Sequence, residues 1–329
     1  MKAVVYYKYG SPDVLQYEEI EKPTAGDDEV LIKVRAASVN PFDWHFMRGT
    51  PYFLRIMAGL RKPRDTRLGV DVAGQVEAMG RNATQFKSGD EVFGACRGAF
   101  AEYACTSESA LVIKPDNVTF EQAASVPVAA FTALQGLRDK GQIQPGQKVL
   151  INGAAGGVGT FAVQIAKSFG ADVTGVCSTR NVEMVRSIGA DRVIDYTQED
   201  FTKSGQRYDL FFDCVGNHSL SACRRVLNPK GIYLPVGGET GRWMIGALAR
   251  SITTLVWSWF VSQKLVIFFL ARSSKEDLAI MHELMEAGKV TPVIDKRYRL
   301  SEVPEAIRYL EEGHARGKVV ITLEHNNTT

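Results

Sequence analysis

The residues with the plainest chemical consequence are Val149-Leu150-Ile151-Asn152-Gly153-Ala154-Ala155-Gly156-Gly157-Val158-Gly159, followed by a helical run over residues 160–169. They form a variant of G-x-G-x-x-G with Ala154 in the first glycine position. Gly156 and Gly157 have no side chains, so the backbone there can come close to a pyrophosphate. Val158 counts with them among the cofactor-binding residues, and Gly159 lets the helix pack on the strand. The helix start adds unpaired N–H donors and the positive end of a dipole. Any tight strand-to-helix turn can carry glycines, but an apolar strand before the cluster and a helix after it meet the context that dinucleotide binding requires.

The next strand, residues 172–177, runs into Ser178-Thr179-Arg180-Asn181. NAD-selective folds place an Asp or Glu near this point, about 20 residues on, to hold the ribose hydroxyls. No carboxylate stands in this segment. An acid about 5 Å from a phosphate would repel it by roughly 3 kcal/mol at an effective dielectric of about 20, whereas Arg180 attracts it and Ser178 and Thr179 can donate hydrogen bonds. The expected cofactor is NADPH. The plainer reading of Arg180 is a solvated charge at a helix start.

Metal chemistry finds less support. Cys96, Cys105, Cys177, Cys214 and Cys223 are odd in number and lack metal-type spacing. Catalytic zinc needs thiolate and imidazole ligands around an open position, and structural zinc needs four closely spaced cysteines. His45 stands near Asp43 without a second histidine or a cysteine beside it. No metal site is expected.

These residues need elements to position them. Residues 3–7, 29–36, 74–79 and 91–93 read as short strands, and Gly69, Gly74, Gly80, Gly89, Gly94 and Gly98 punctuate an all-β first third. Residues 121–141 carry helical spacing, and 147–151 read as a buried strand. Strands over 172–177, 192–194, 210–214, 231–236 and 264–270 then alternate with helices or loops, the pattern of a parallel sheet with crossover connections. Helices over 275–287 and 303–312 lead to a last strand, 318–323.

At 329 residues the chain exceeds what one core fills, so two domains with a cleft between them are expected. A content of 45% hydrophobic and 23% charged residues, with a net charge of +2 and no basic block, fits a soluble protein and argues against nucleic acid as a partner. With no signal-type opening and no cysteine pairing, the cytoplasm is the expected location. The apolar stretch 243–270 is interrupted by Arg250, Gln263 and Lys264. Its uncharged core, 251–262, falls short of the roughly 20 residues a membrane span needs, so a buried or interface helix is expected.

Further motifs follow in order along the chain: Ala36-Ala37-Ser38-Val39-Asn40-Pro41-Phe42-Asp43, Gly69-Val70-Asp71-Val72-Ala73-Gly74, Gly89-Asp90-Glu91-Val92, Ala130-Phe131-Thr132-Ala133-Leu134, Asp213-Cys214-Val215-Gly216 and Gly317-Lys318-Val319-Val320. With the glycine turn they resemble the medium-chain dehydrogenase/reductase superfamily, in its zinc-independent quinone oxidoreductase-like branch. The resemblance implies an α/β chain with a β-rich GroES-like catalytic domain, residues 1–122 and 273–329. A Rossmann, doubly wound parallel-sheet domain that binds NADPH would be inserted at 123–272. It further implies a homodimer with the cofactor in the cleft.

Carried over residue by residue, the resemblance makes Asn40 and Asp43 the polar residues on the nicotinamide side and Thr132 the residue beside the nicotinamide. Val215 and Gly216 become the loop under the bridge to the adenosine, and Lys318 a residue near the active site. Tyr196 resembles an adenine and 2′-phosphate contact, with core packing as its alternative. Where the zinc-dependent relatives carry Gly-His-Glu this chain has Gly69-Val70-Asp71, and where they place a cysteine ligand it has Pro41-Phe42-Asp43.

Without a Lewis acid, quinones and α,β-unsaturated carbonyl compounds are the favoured acceptors, because conjugation delocalises the charge left by hydride attack. Water or a ribose hydroxyl supplies the proton. Tyr52, Phe53 and Met57, with residues 243–260, are expected to wall the substrate pocket, core packing or a dimer contact being the equal alternative. Residues 264–270 are a candidate edge strand for dimerisation. Two other functions stay open at this point: a zinc-type alcohol dehydrogenase, and an NADPH-binding scaffold with little turnover.

Overall fold

The computed structural model describes residues 1–237, 261–267 and 269–323. The chain divides into two compact units, one made of Met1–Val128, Ser273–Gly288 and Pro292–Thr329, the other of Ala129–Arg272 and Lys289–Thr291.

The first unit is built around the 11-residue strand Glu29–Val39. It pairs antiparallel with Asp71–Met79, with Tyr103–Ser107 and, at its far end, with Lys318–Thr322. Register shifts between Leu31 and Ile32 and between Val34 and Ala36 bend this strand, so one segment serves three partners. Glu91–Ala95, Leu111–Ile113 and Ile294–Arg299 complete a seven-stranded sheet, and Lys2–Val5 with Gln16–Glu19 form a separate two-stranded one. Ile32, Val72, Val319 and Ile307 are fully buried in a common core. The first third is not purely β: Pro41–Arg48 and Leu54–Ala58 are helices. Pro41, the first helical residue, begins the earlier one with a φ already suited to a helix.

The second unit holds a six-stranded parallel sheet in the order Arg192–Asp195, Asp172–Cys177, Lys148–Asn152, Tyr208–Asp213, Leu227–Pro235, Lys264–Leu265. Val149, Leu150 and Ile151 are buried without alternation, as expected where helices cover both faces. This is a Rossmann arrangement, with the strand order reversing beside Lys148–Asn152. The helical stretch expected over 121–141 is split into Phe120–Ala124 and Pro127–Gln135, because Pro127 has no N–H to continue the first helix. The strand expected over 264–270 is only Lys264–Leu265. Val266 still donates to the Tyr233 carbonyl at 2.9 Å, but the next ladder donor would be Pro235, which has no N–H. The edge strand is thus shorter than the sequence suggested. Residues 243–260 lie outside the described residues.

Phe211 is fully buried between Phe201, edge-on at 5.7 Å between ring centroids, and Tyr233 at 5.5 Å. Phe211→Ala should lower the stability of this unit by about 3 to 5 kcal/mol. Urea denaturation followed by circular dichroism checks this; a loss below about 1 kcal/mol would show that the ring contributes little to the core.

Candidate active site

In the first unit, sheet register assembles a buried polar cluster. Ser38 pairs with Asp71 on one side and with Val320 on the other, so Asn40, just beyond the strand, meets Lys318. Lys318 Nζ donates to Asn40 Oδ1 at 2.5 Å, and Asn40 Nδ2 donates to Asp71 Oδ2 at 2.8 Å. Asp71 also accepts from the Ser38 hydroxyl at 2.8 Å and from the Val128 N–H at 3.0 Å. Its carboxylate and the Lys318 ammonium stand 3.4 Å apart with side chains 0% and 4% exposed. These contacts hold the Asn40 amide in one orientation.

Asn40 is also the N-cap of Pro41–Arg48, and Asp43 closes the capping box by accepting the Asn40 N–H at 2.7 Å. The second Asp43 oxygen accepts the Gly69 N–H at 3.1 Å. Burial pushes the Asp43 carboxyl up from its ordinary 3.8 to about 7, against the lowering effect of those two N–H groups. Burial likewise pushes the Lys318 ammonium down, and Asp71 and Asp43 oppose that shift.

In the second unit, Lys148–Asn152 leads through the turn into helix Gly157–Ser168, whose N-cap is Gly156. A Cβ at Gly159 would stand 2.1 Å from the Gly153 carbonyl oxygen, so only glycine allows the helix to sit this close to the turn. Among the described residues, a Cβ at Gly156 would meet nothing nearer than that same oxygen at 3.4 Å, which leaves room beyond Gly156. An open space at the N-terminus of a helix, with no side chain capping the first N–H groups, fits an anionic pyrophosphate. The neighbouring loop is held by Asp213, which is fully buried and accepts from Asn152 Nδ2 and from the N–H groups of Val215 and Gly216 at 2.9, 3.1 and 2.9 Å. Tyr233 donates to its other oxygen at 2.9 Å.

Residues 26–116 match the family model of the alcohol dehydrogenase GroES-like domain, and residues 188–321 match that described as zinc-binding dehydrogenase. The chain is 35% identical over 336 residues to the NADPH-dependent alkenal/one oxidoreductase, chloroplastic, of Arabidopsis thaliana, an alignment covering 98% of this chain and 79% of that one. It is 34% identical over 336 residues to the 2-methylene-furan-3-one reductase of Solanum lycopersicum, with the same coverage of 98% and 79%. The solved structure of the quinone oxidoreductase from Coxiella burnetii superposes with a TM-score of 0.84 at 30% identity, covering 98% and 99% of the two chains. The chain belongs to the medium-chain dehydrogenase/reductase superfamily, in its quinone oxidoreductase-like branch.

The site residues expected from the resemblance to this superfamily fall into two groups, one per unit. Asn40, Asp43 and Lys318 come together in the buried cluster. Tyr52 is half-buried, while Phe53 and Met57, at helix Leu54–Ala58, are 51% and 72% exposed. In the second unit Ala154 lies in the turn, Gly156 is the N-cap, and Gly157, Val158 and Gly159 open helix Gly157–Ser168. Ser178, Thr179 and Arg180 follow Asp172–Cys177, Tyr196 follows Arg192–Asp195, and Val215 and Gly216 follow Tyr208–Asp213. All of these lie at the carboxyl ends of adjacent parallel strands, and Thr132 is half-buried on Pro127–Gln135. Tyr196 is 58% exposed, which overturns the core-packing alternative for it.

Three residues were missed. Asp71 and Asp213 each stood inside a motif, but only strand register shows that each gathers its neighbours. Asp195 is the carboxylate that the Ser178 to Asn181 segment lacks: it arrives from the adjacent strand, paired with Cys177, and accepts the Thr179 hydroxyl at 2.6 Å.

Because Asp43 holds a proton in the folded state that the unfolded chain has released, stability should fall as pH rises from about 4 to 7 through this group. Asp43→Asn cannot titrate, so the stability deficit of this variant should shrink across that window. Urea denaturation of both proteins at intervals over the window checks this; parallel pH dependences would contradict it.

Proposed function

We propose that the chain transfers hydride from NADPH to quinones or α,β-unsaturated carbonyl compounds without a catalytic metal. The observation that carries this is the turn and helix start at 153–159, where a helix packed close on the turn begins at an N-cap that has no side chain. Names of relatives support the chemistry: one is an NADPH-dependent alkenal/one oxidoreductase and a superposable structure is a quinone oxidoreductase.

Bound NADPH supplies the hydride. The turn at 154–159 would hold its pyrophosphate through the N–H groups at the start of helix Gly157–Ser168, and the strand tip at residues 178–180, with Arg180 as its cation, would receive the 2′-phosphate. The exposed ring of Tyr196 is suited to stack on the adenine, and Val215 and Gly216, held by Asp213, would border the bridge. We assign Asn40 to the nicotinamide side, its amide fixed by Lys318 and Asp71, and Asp43 to holding the Asn40 backbone. Thr132 would stand beside the nicotinamide, and Tyr52, Phe53 and Met57 would wall the acceptor site. The chain is proposed to act as a homodimer.

Independence from zinc is supported by the chain's own side chains. The Val70 side chain has no lone pair to give a metal, and both oxygens of Asp43 already accept backbone N–H groups. Among the described residues no group of three or more His, Cys, Asp or Glu is placed to hold a metal ion. No helix among them is long and apolar enough to cross a membrane. All five cysteines are free thiols, which supports a reducing compartment such as the cytoplasm.

Arg180→Ala should weaken NADPH binding by about 1 to 3 kcal/mol and leave NADH nearly unchanged, as calorimetry would show; equal losses for both would reject the phosphate assignment. Oxidation of NADPH, followed by absorbance, should occur with quinones and enones and not with simple saturated aldehydes, and should survive chelators. Stoichiometric zinc together with chelator-sensitive turnover would overturn the metal-free reading.

A further inference from the structure

Each hydroxyl has a single proton, so the partners already present at the tip of Asp172–Cys177 decide what that tip can still donate. Thr179 Oγ1 donates to Asp195 Oδ2 at 2.6 Å and lies 2.9 Å from Thr197 Oγ1. The Thr197 hydroxyl itself donates to Asp195 Oδ1 at 2.8 Å, and the Thr197 N–H donates to the same oxygen at 3.0 Å. Thr179 therefore has no proton left for a phosphate, whose oxygens need donors. The Thr179 hydroxyl, followed by the Thr197 groups, holds the Asp195 carboxyl below its ordinary range, so it stays charged at neutral pH.

Ser178 is in the opposite position. Its Oγ accepts from Asn181 Nδ2 at 3.2 Å and donates to no group among the described residues, so its proton is available. Asn181 is 7% exposed, and its Oδ1 is buried without a hydrogen-bond partner among the described residues. Turning the amide over would bring that oxygen to Ser178 and consume the hydroxyl proton. The amide of Asn181 thus sets whether Ser178 faces outward as a donor or as an acceptor.

We propose that discrimination between NADPH and NADH at this tip rests on Ser178, kept available as a donor by the positioning residue Asn181, while Asp195 opposes the phosphate by taking the Thr179 proton and adding like charge. This rests on the reading of residues 178–180 as the 2′-phosphate site. It separates the two hydroxyls: Ser178 discriminates, and Thr179 belongs to the Asp195 cluster. It also makes Asp195 a brake on NADPH selectivity, with Arg180 supplying the counter-charge. Removing Asp195 should therefore sharpen selectivity.

The test is calorimetric titration of the full chain with 2′,5′-ADP and 5′-AMP, which differ only in the 2′-phosphate, alongside NADPH. Ser178→Ala should lower affinity for 2′,5′-ADP by about tenfold and leave 5′-AMP within about twofold, the scale of one charge-assisted hydrogen bond. Asn181→Asp, which puts an acceptor on Ser178, should show the same split. Thr179→Val should cost less than Ser178→Ala, and Asp195→Asn, an exposed substitution, should raise affinity for 2′,5′-ADP several-fold. A Thr179→Val loss as large as that of Ser178→Ala, or an Asp195→Asn protein with unchanged or weaker 2′,5′-ADP binding, overturns the inference alone if the wild-type chain binds NADPH. A wild-type chain without affinity for NADPH overturns both this inference and the proposed function.

Discussion

The approach of helix Gly157–Ser168 to the turn before it is the contact on which the proposed nucleotide site depends. With the Gly153 carbonyl oxygen only 2.1 Å from where a Gly159 Cβ would stand, any side chain there would force the helix away from the strand. Kept close, the helix starts immediately beyond the carboxyl end of Lys148–Asn152 and points its uncapped N–H groups into open space. The rest of the sheet edge is arranged about that point. Asp213 ties the adjacent loop to Asn152, and the tips of the next two strands bring Ser178, Thr179, Arg180 and Asp195 to one side.

The first unit solves a different problem, that of keeping charged groups in an apolar interior. An unpaired Asp71 or Lys318 would be strongly destabilising there. The sheet register answers this by meeting Asp71 with a hydroxyl, an amide, an N–H and an ammonium at once. The consequence is orientation: the Asn40 amide can face only one way while Lys318 holds its oxygen and Asp71 its nitrogen. Rigidity of this kind suits a residue that must orient a substrate or cofactor group rather than exchange protons.

Much of this was legible in the sequence because it is local. Residues 149–151 form an uninterrupted apolar run, the glycines follow at fixed spacing, and the motifs resemble one superfamily in order, so the GroES-like and Rossmann parts could be anticipated. What escaped is non-local. No acid stands in the segment after Asp172–Cys177, yet parallel pairing sets Asp195 beside Cys177, and no linear reading foresees that neighbour. Asp71 was read for what it is not, a zinc-ligand segment, and its pairing with Ser38 depends on a bulged register. Helical spacing over 121–141 hid the break at Pro127, and the apolar run at 264–270 outlasted its ladder because the partner strand ends in Pro235.

The most direct measurement uses Gly156→Asp. Gly156 has extended backbone, φ −82° and ψ 176°, and occupies an N-cap, where Asp is a preferred residue, so the variant should fold with a Tm equal to or above that of the wild type. The same carboxylate would occupy the space assigned to the pyrophosphate. The account predicts a folded protein whose NADPH affinity in calorimetry falls by at least about a hundredfold, from loss of space and like-charge repulsion together. A folded Gly156→Asp protein that binds NADPH as tightly as the wild type would contradict it.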